Sequence, residues 1–314
     1  MEEHTEIFPW TARFANLPPM KPQHPTNNGV HSLTLLLLVM TSTSNLLATD
    51  FQLTLRDRSK EAPSTVKESK ATWDAKKTVI IVCDMWDDHW CKSAARRVTE
   101  MAPALDRLLN AARGKGALII HAPSSVTAHY DKHPQRSTAK NAPFAKAPIE
   151  LSKAERWGTT WCWPDPAFES VLPIDDSDMG CSCHPEKCEI RDAWTQQIDS
   201  ITIHPKDAIT DEAQETYNLL AANDIENVIL CGVHLNMCVL GRPFGIRQMV
   251  KLGKNVALIR DLTDTMYNPS RPPGVDHFTG TDLVVAHVEQ HWCPSFESSD
   301  ITGKPAFRFR EDQR

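Results

Sequence analysis

Residues 226–249 read ENVILCGVHLNMCVLGRPFGIRQM. Asn227 to Cys231 is a short, nearly unbroken apolar run that stops at Gly232, the pattern of a parallel strand covered on both faces. Four residues, VHLN, then turn the chain into MCVLGRPFGIRQMVKLG, which reads as a helix. A strand that passes so quickly into a helix is one unit of a doubly wound α/β sheet, and it sets Cys238 at a helix N-terminus.

The same alternation extends on both sides. Lys76 to Asp84, KKTVIIVCD, predicts a buried strand; Ala94 to Arg113 predicts a helix with Val98, Met101, Leu105, Leu108 and Leu109 on one face. GKGALIIHAPSS (114–125) is the next strand, closed by Pro123. SITIH (200–204) then reads as a strand, EAQETYNLLAAND (212–224) as a helix and KNVALIRD (254–261) as a strand. Strand–helix alternation with right-handed crossovers makes a mainly parallel sheet with helices on its faces. In such folds ligands sit beyond the carboxyl ends of the strands. Asp84, His121, His204 or Lys206, the Gly232–Cys238 turn and Asp261 stand at those ends.

Composition sets the limits. Of 314 residues, 34 are Lys or Arg and 40 are Asp or Glu, a net charge of −6. That balance carries no nucleic-acid signature, and 41% hydrophobic residues support a sizeable core. Twelve Gly against 22 Pro suggest many rigid loops and few phosphate cradles. Nine cysteines cannot all pair within one chain, so at least one is free, shared between chains or on a metal.

The ends and the middle read differently. Residues 1–50 form a leader in which Leu33 to Met40 is far too short for the roughly 20 residues of a membrane-spanning helix. The 32–48 segment fits a secretory signal peptide with Met20 as the true start, although Leu46 is a poor match to the cleavage rule. Export to the periplasm or outside the cell follows from that reading; a leader with a chance leucine run leaves the chain cytoplasmic. Residues 51–73 are expected to be an N-terminal extension, 74–300 the α/β domain and 301–314 a C-terminal tail. A Trp-, Cys- and Pro-rich insertion occupies about 130–197. Its GCSCHPEKC stretch brings Cys181, Cys183, His184 and Cys188 together. Zinc is one reading, but the C-x2-C knuckles of structural sites are missing. Disulfides, with Cys91, Cys162 and Cys293 as further partners, suit an exported chain better.

Cys238 is the strongest candidate for chemistry, because a helix N-terminus favours a thiolate and can stabilise an oxyanion. Asp84, in VIIVCDMWDDHWC, is placed to act as its proton acceptor. A buried core thiol is the plain alternative reading of a cysteine near a strand end.

These residues carry a resemblance. VIIVCDMWDDHWC, ENVILCGVHLNMCVLGRPFGIRQM and NVALIRDLTDTMYNP, in that order from about Trp73 to Cys293, resemble the isochorismatase-like cysteine hydrolases, which include nicotinamidases and N-carbamoylsarcosine amidase. The resemblance implies a three-layer α/β fold and an Asp-Lys-Cys triad, with a thioester acyl-enzyme on the way to cleavage of an amide-type C–N bond. It places the nucleophile at Cys238, the base at Asp84 and a non-catalytic acid at Asp88. Backbone amides of His234 and Cys238 would form the oxyanion site, with a cis peptide at Val233-His234. Lys206 is the expected triad lysine, with His204 as the alternative, because His204 ends the SITIH strand where the lysine should stand; an incomplete triad is the third option.

No cofactor is expected. Nicotinamidases carry an Asp-x-His metal pair, and Pro123 stands here at the aspartate position, so no metal is expected at the site. Trp86, His89, His121 and Asn236 are the substrate-contact candidates, His89 also reading as a hydrogen-bonded structural histidine. Trp90, Trp157, Trp161, Trp163, Trp194 and Tyr267 are further aromatic candidates. Arg242 and Arg247 read first as a solvated helix face, and His287 and His291 as a half-exposed one. A small-molecule substrate and a homo-oligomer are expected. A non-catalytic isochorismatase-like module that binds a ligand or partner is the alternative, and ether hydrolysis without a covalent nucleophile a third.

Overall fold

The computed structural model describes residues 50–62, 64–152, 166–184, 186 and 188–314, all within one compact unit, Asn45–Arg314. The leader with its 32–48 segment, and Trp157, Trp161, Cys162 and Trp163, lie outside the described residues.

The expected strands at the centre form where the apolar runs are densest. β3 (Thr78–Cys83) is buried throughout. It lies between β4 (Leu118–Ala122) and β6 (Asn227–Val233), parallel to both. The eight-stranded sheet also contains β1 (Asp50–Arg58), β2 (Val66–Asp74), β5 (Ala208–Ile209), β7 (Asn255–Asp264) and β8 (Ser295–Phe296), in the order β2-β1-β8-β7-β6-β3-β4-β5. From β3 the chain builds outward through β4 and β5, then returns to the other side of β3 with β6, β7 and β8. The reversal falls between β3 and β6, the crevice where such sheets bind ligands.

Alternate residues of β3 face opposite layers. Ile80 and Val82 pack with Leu105, Leu108 and Leu109 of α1 (Lys92–Lys115). Val79 and Ile81 pack with Leu219 and Leu220 of α3 (Ala213–Ala222), Ile246 and Met249 of α4 (Ile246–Lys251) and Val284 and Val288 of α5 (His277–His291). Two apolar layers on one sheet make the three-layer α/β architecture. Two short helices, α2 (Pro134–Lys140) and α6 (Ser299–Thr302), complete it. Among the described residues no helix is long and apolar enough to cross a membrane.

Several local expectations need correction. SITIH is not a strand, because side chains occupy its backbone. Thr202 N–H donates to Asp106 (2.8 Å) and Thr202 C=O accepts from Arg113 (2.9 Å). His204 N–H donates to Asp207 (2.7 Å) and its C=O accepts from Gln135 (3.0 Å). With those groups taken, the ladder forms only at Ala208–Ile209, opposite Ile120 and His121. The helix expected after Cys238 is interrupted at Arg242–Gly245, where Gly245 N–H returns to Arg242 O (2.7 Å) and Pro243 has no N–H to continue it. The 51–73 extension contributes a strand pair: β1 and β2 run antiparallel, and β1 pairs antiparallel with β8. The C-terminal segment also docks, since Phe309 is buried in the α1 layer and Phe307 N–H reaches Asp261 (2.8 Å).

Candidate active site

Both candidate catalytic residues stand at the β3–β6 reversal. Asp84 follows β3 directly, with a positive φ of 48° that is uncommon outside glycine. Its N–H donates to Ala122 O (3.1 Å) and its own C=O accepts from Trp86 N–H (2.9 Å). On β6, Gly232 sits at φ 97°, where a Cβ would lie 2.1 Å from the Cys83 carbonyl oxygen. Only glycine lets the two strands approach so closely here. The cis peptide expected at Val233-His234 is present. Leu235–Val239 then forms one wide turn, with Val239 N–H returning to His234 O (3.1 Å), and Cys238 lies on it.

The electrostatics centre on a cation that the sequence reading had set aside. Asp84 is fully buried. Its Oδ1 accepts from Ser124 N–H (2.7 Å), its Oδ2 has no hydrogen-bond partner among the described residues, and the neighbouring Cys238 thiol helps to lower its pKa. Arg242 Nε is 3.8 Å from Asp84 Oδ2, and its guanidinium is hydrogen-bonded to Cys238. Burial pushes the Asp84 pKa up, with Arg242 and the hydrogen bonds opposing it. Burial alone would lower the Arg242 pKa, but the negative groups at Cys238 and Asp84 outweigh it and the net shift is upward. Thus a thiol, a carboxyl group and a guanidinium lie side by side in one buried site.

Lys206 and His204 take no part in this grouping. Lys206 is exposed and His204 half-buried, and neither lines the cavity at Cys238. The strand expected to present them is a turn, and β5 instead leads to Thr210 and Asp211. The reading of Arg242 as a solvated face is likewise corrected. The signal available in the sequence was the spacing C-x3-R, which puts two side chains on one face of a helical turn.

The cavity beside Cys238 has a volume of about 710 Å³ and is lined by Trp86, His89, Trp90, Trp194, His234 and Arg242 among others. Trp86 and Trp194 stack with ring centres 4.3 Å apart, and His89 lies parallel to Trp194 at 5.5 Å. Asp87 holds this wall by accepting from Thr195 N–H (2.8 Å), while Ile198 N–H donates to Met85 O (2.8 Å). Burial lowers the His89 pKa to about 4, so its ring is neutral at pH 7. Because Nδ1 accepts from Cys91 N–H (3.1 Å), the neutral ring carries its proton on Nε2. His234 is buried and held neutral by desolvation, and its Nε2 has no hydrogen-bond partner among the described residues.

His121 and Asn236 line no part of this cavity. His121 is fixed between Gln197 (2.9 Å) and Asp207 (3.0 Å). Asn236 ties the Leu235–Val239 turn to Asp176 (2.7 Å) and to Met266 N–H and C=O. Both position the frame. Asp211 and Ser125, not anticipated, line the rim, with Ser125 N–H donating to Asp211 (2.9 Å). Asp88 pairs with Lys92 (2.6 Å) at the surface. Tyr267 is buried, with its hydroxyl donating to Arg271 O (2.9 Å). Arg247 and His287 are buried rather than solvated, and both bond Glu169, at 2.7 and 2.8 Å.

None of the described cysteines is in a disulfide. Burial raises the pKa of Cys83 and Cys231, as expected of inert core thiols. Among the described residues, one group of potential metal ligands meets the distance requirement, and it is made of Cys91, Cys181 and Cys183.

Fold and site together define a three-layer α/β protein with a cysteine, an aspartate and an arginine in contact at the reversal of its sheet. No family model matches the sequence, and no curated protein matches it. Solved structures with a similar fold include a cysteine hydrolase from Pseudomonas syringae pv. phaseolicola, at 14% identity over 73% of this chain and 92% of that one, with a TM-score of 0.42. An isochorismatase from Pseudomonas putida is 12% identical over 72% and 91%, TM-score 0.42. N-carbamoylsarcosine amidase from Thermoplasma acidophilum is 11% identical over 60% and 83%, TM-score 0.32.

Proposed function

We propose that this chain is a cysteine hydrolase that cleaves a small amide-type C–N bond through a thioester acyl-enzyme. The observation that carries the reading is the buried contact of Cys238 with both Asp84 and Arg242. Asp84 accepts the thiol proton; its upward shift makes it a better acceptor than an exposed carboxylate. The guanidinium favours the thiolate. Sulfur attacks the carbonyl carbon, and the C–O π pair moves to oxygen, where backbone amides of the His234–Cys238 turn can stabilise it. As that pair returns, the C–N bond breaks, and Asp84 delivers its proton to the leaving nitrogen. Water then adds to the thioester, giving a proton to Asp84. The C–S bond breaks with return of that proton to sulfur, and the acid departs. No step requires a metal.

The stacked Trp86, Trp194 and His89 suit a flat or cyclic substrate, and His234 Nε2 offers it a polar contact. Acyl adducts trapped on Cys238 from a library of small amides and ureides, read by mass spectrometry, test the assignment. Wild type should acquire an adduct at Cys238, and Cys238→Ala should lose adduct, iodoacetamide labelling and turnover together. Turnover that survives in Cys238→Ala would sink the reading.

A further inference from the structure

A second group of thiols meets at the start of α1. Cys91 is the N-cap residue of that helix, and Cys181, Cys183 and Cys188 come from the GCSCHPEKC loop about ninety residues later. The sulfurs of Cys91, Cys181 and Cys183 all lie within 4.8 Å of one another, with Cys91 and Cys183 4.0 Å apart. Cys188 lies in the same loop, seven residues after Cys181, with its sulfur outside that 4.8 Å group but near enough to Cys183 to help lower the pKa of that thiol.

Two features separate this cluster from chance thiols. The first is spacing. A disulfide needs its sulfurs at about 2.05 Å, whereas four sulfurs held tetrahedrally at about 2.3 Å from one ion stand about 3.8 Å apart. The second is a backbone donor aimed at sulfur. Ser93 N–H donates to the Cys183 sulfur (3.3 Å), and the Cys183 pKa is drawn down to about 6. Such a donor stabilises a thiolate, as does the N-terminus of a 24-residue helix. Ser93 also joins the two halves, lying 3.2 Å from the Cys91 sulfur and 2.7 Å from the Ser182 hydroxyl.

We propose that Cys91, Cys181 and Cys183 hold one zinc ion, with the Cys188 thiol of the same loop turning in to close a four-thiolate site. Each thiol releases its proton to solvent on binding, four Zn–S bonds form, and nothing is oxidised or reduced. An all-sulfur tetrahedral set suits zinc, which has no redox chemistry of its own. The ion pins two segments of the cavity wall at once: His89 and Trp90 immediately precede Cys91, and the loop runs on from Cys188 to Ile190 and Trp194, all four of which line the cavity. The proposal stands independently of the hydrolase reading, since Cys238 belongs to neither segment.

Metal content of the full-length protein, purified without chelator from zinc-supplemented cells, is the direct test. The expected result is one zinc per chain, released by a mercurial reagent as four thiols are modified. A Cys181→Ser/Cys183→Ser variant should lose the zinc while Cys238 still reacts with iodoacetamide. Should that variant fail to fold, cobalt(II) added to the chelator-stripped wild type decides: the charge-transfer and d–d bands of a tetrahedral tetrathiolate are expected. Less than a tenth of an equivalent of zinc after reconstitution, or non-reducing peptide maps with a disulfide among the four cysteines, would overturn the proposal. So would stoichiometric iron in place of zinc.

Discussion

Cys238 and Arg242 are four residues apart, and the Arg242 N–H returns to the Cys238 carbonyl at 2.9 Å, so one helical turn carries both the thiol and the guanidinium. A unit-charge pair 3.8 Å apart, the separation of Arg242 Nε and Asp84 Oδ2, attracts by about 4 kcal/mol at an effective dielectric of about 20. Losing such a charge from a preorganised site costs on the order of 10²-fold in rate. Arg242→Ala should therefore lower kcat/KM by that order on any substrate identified by adduct trapping. Arg242→Lys should recover part of the loss, because a point charge replaces a fork that touches two partners. Lys206→Ala and His204→Ala should stay within about twofold of wild type, since both lie outside the cavity. Steady-state kinetics on the four variants checks this; a large loss in Lys206→Ala with none in Arg242→Ala would return the role to Lys206.

At the level of elements, Gly232 determines how closely β3 and β6 approach, and through that the distance from Asp84 to Cys238. An added methyl would meet the Cys83 carbonyl at 2.1 Å and sit at φ 97°. Overpacking together with an unfavourable positive φ predicts a loss of about 3 kcal/mol for Gly232→Ala, measured by denaturant unfolding, with Cys238 labelling slowed in the folded fraction.

The turn before β5 gives a second prediction, this one in pH. Burial alone would raise the Asp207 pKa, but His121 and Arg113, at 3.0 and 2.6 Å, bring it down to about 2. A depressed folded pKa stabilises the fold above the unfolded value of about 3.9 and loses that effect as pH falls through the folded one. Asp207→Asn should thus cost about 2 kcal/mol at pH 7, a difference that narrows between about pH 4 and pH 2. Urea unfolding across that range would show it; a constant gap would refute it.

These same elements show what the chain makes legible. The strands VIIVC and NVILCG are apolar enough to be read directly, and they carry Asp84 and Cys238 to the right crevice. SITIH has the same alternation, but Asp106, Arg113, Gln135 and Asp207, all distant or beyond its end, take its backbone groups, and no local pattern records that. Cys91 is legible as a partner of the GCSCHPEKC loop only beside other candidates such as Cys293, and only the packing of α1 against that loop selects it. Arg242 was visible as a spacing, yet a charged residue on a helix gives no sign of its burial until the Arg242–Gly245 turn is known.

Across the whole molecule, the two helical layers are joined beyond the strand ends by a buried ionic contact. Arg97 on α1 donates to Asp264 Oδ2 at 2.7 Å, and His277 at the start of α5 bonds Oδ1 at 2.8 Å. Asp264 ends β7 and is fully buried. Its burial would raise the pKa, but the Arg97 guanidinium and the hydrogen bond with His277 hold it far below the usual carboxylate range. Removing one member of such a pair leaves an uncompensated charge at a cost of about 3–5 kcal/mol. Asp264→Ala should therefore destabilise the protein by that amount, and Arg97→Ala should do the same. If the contact couples the layers, the double variant should cost clearly less than the two single losses added, and amide exchange should quicken in both α1 and α5 of either single variant. Faster exchange confined to α1 would instead make Arg97–Asp264 a local bond of one layer, with α5 held by its apolar packing through Val284 and Val288.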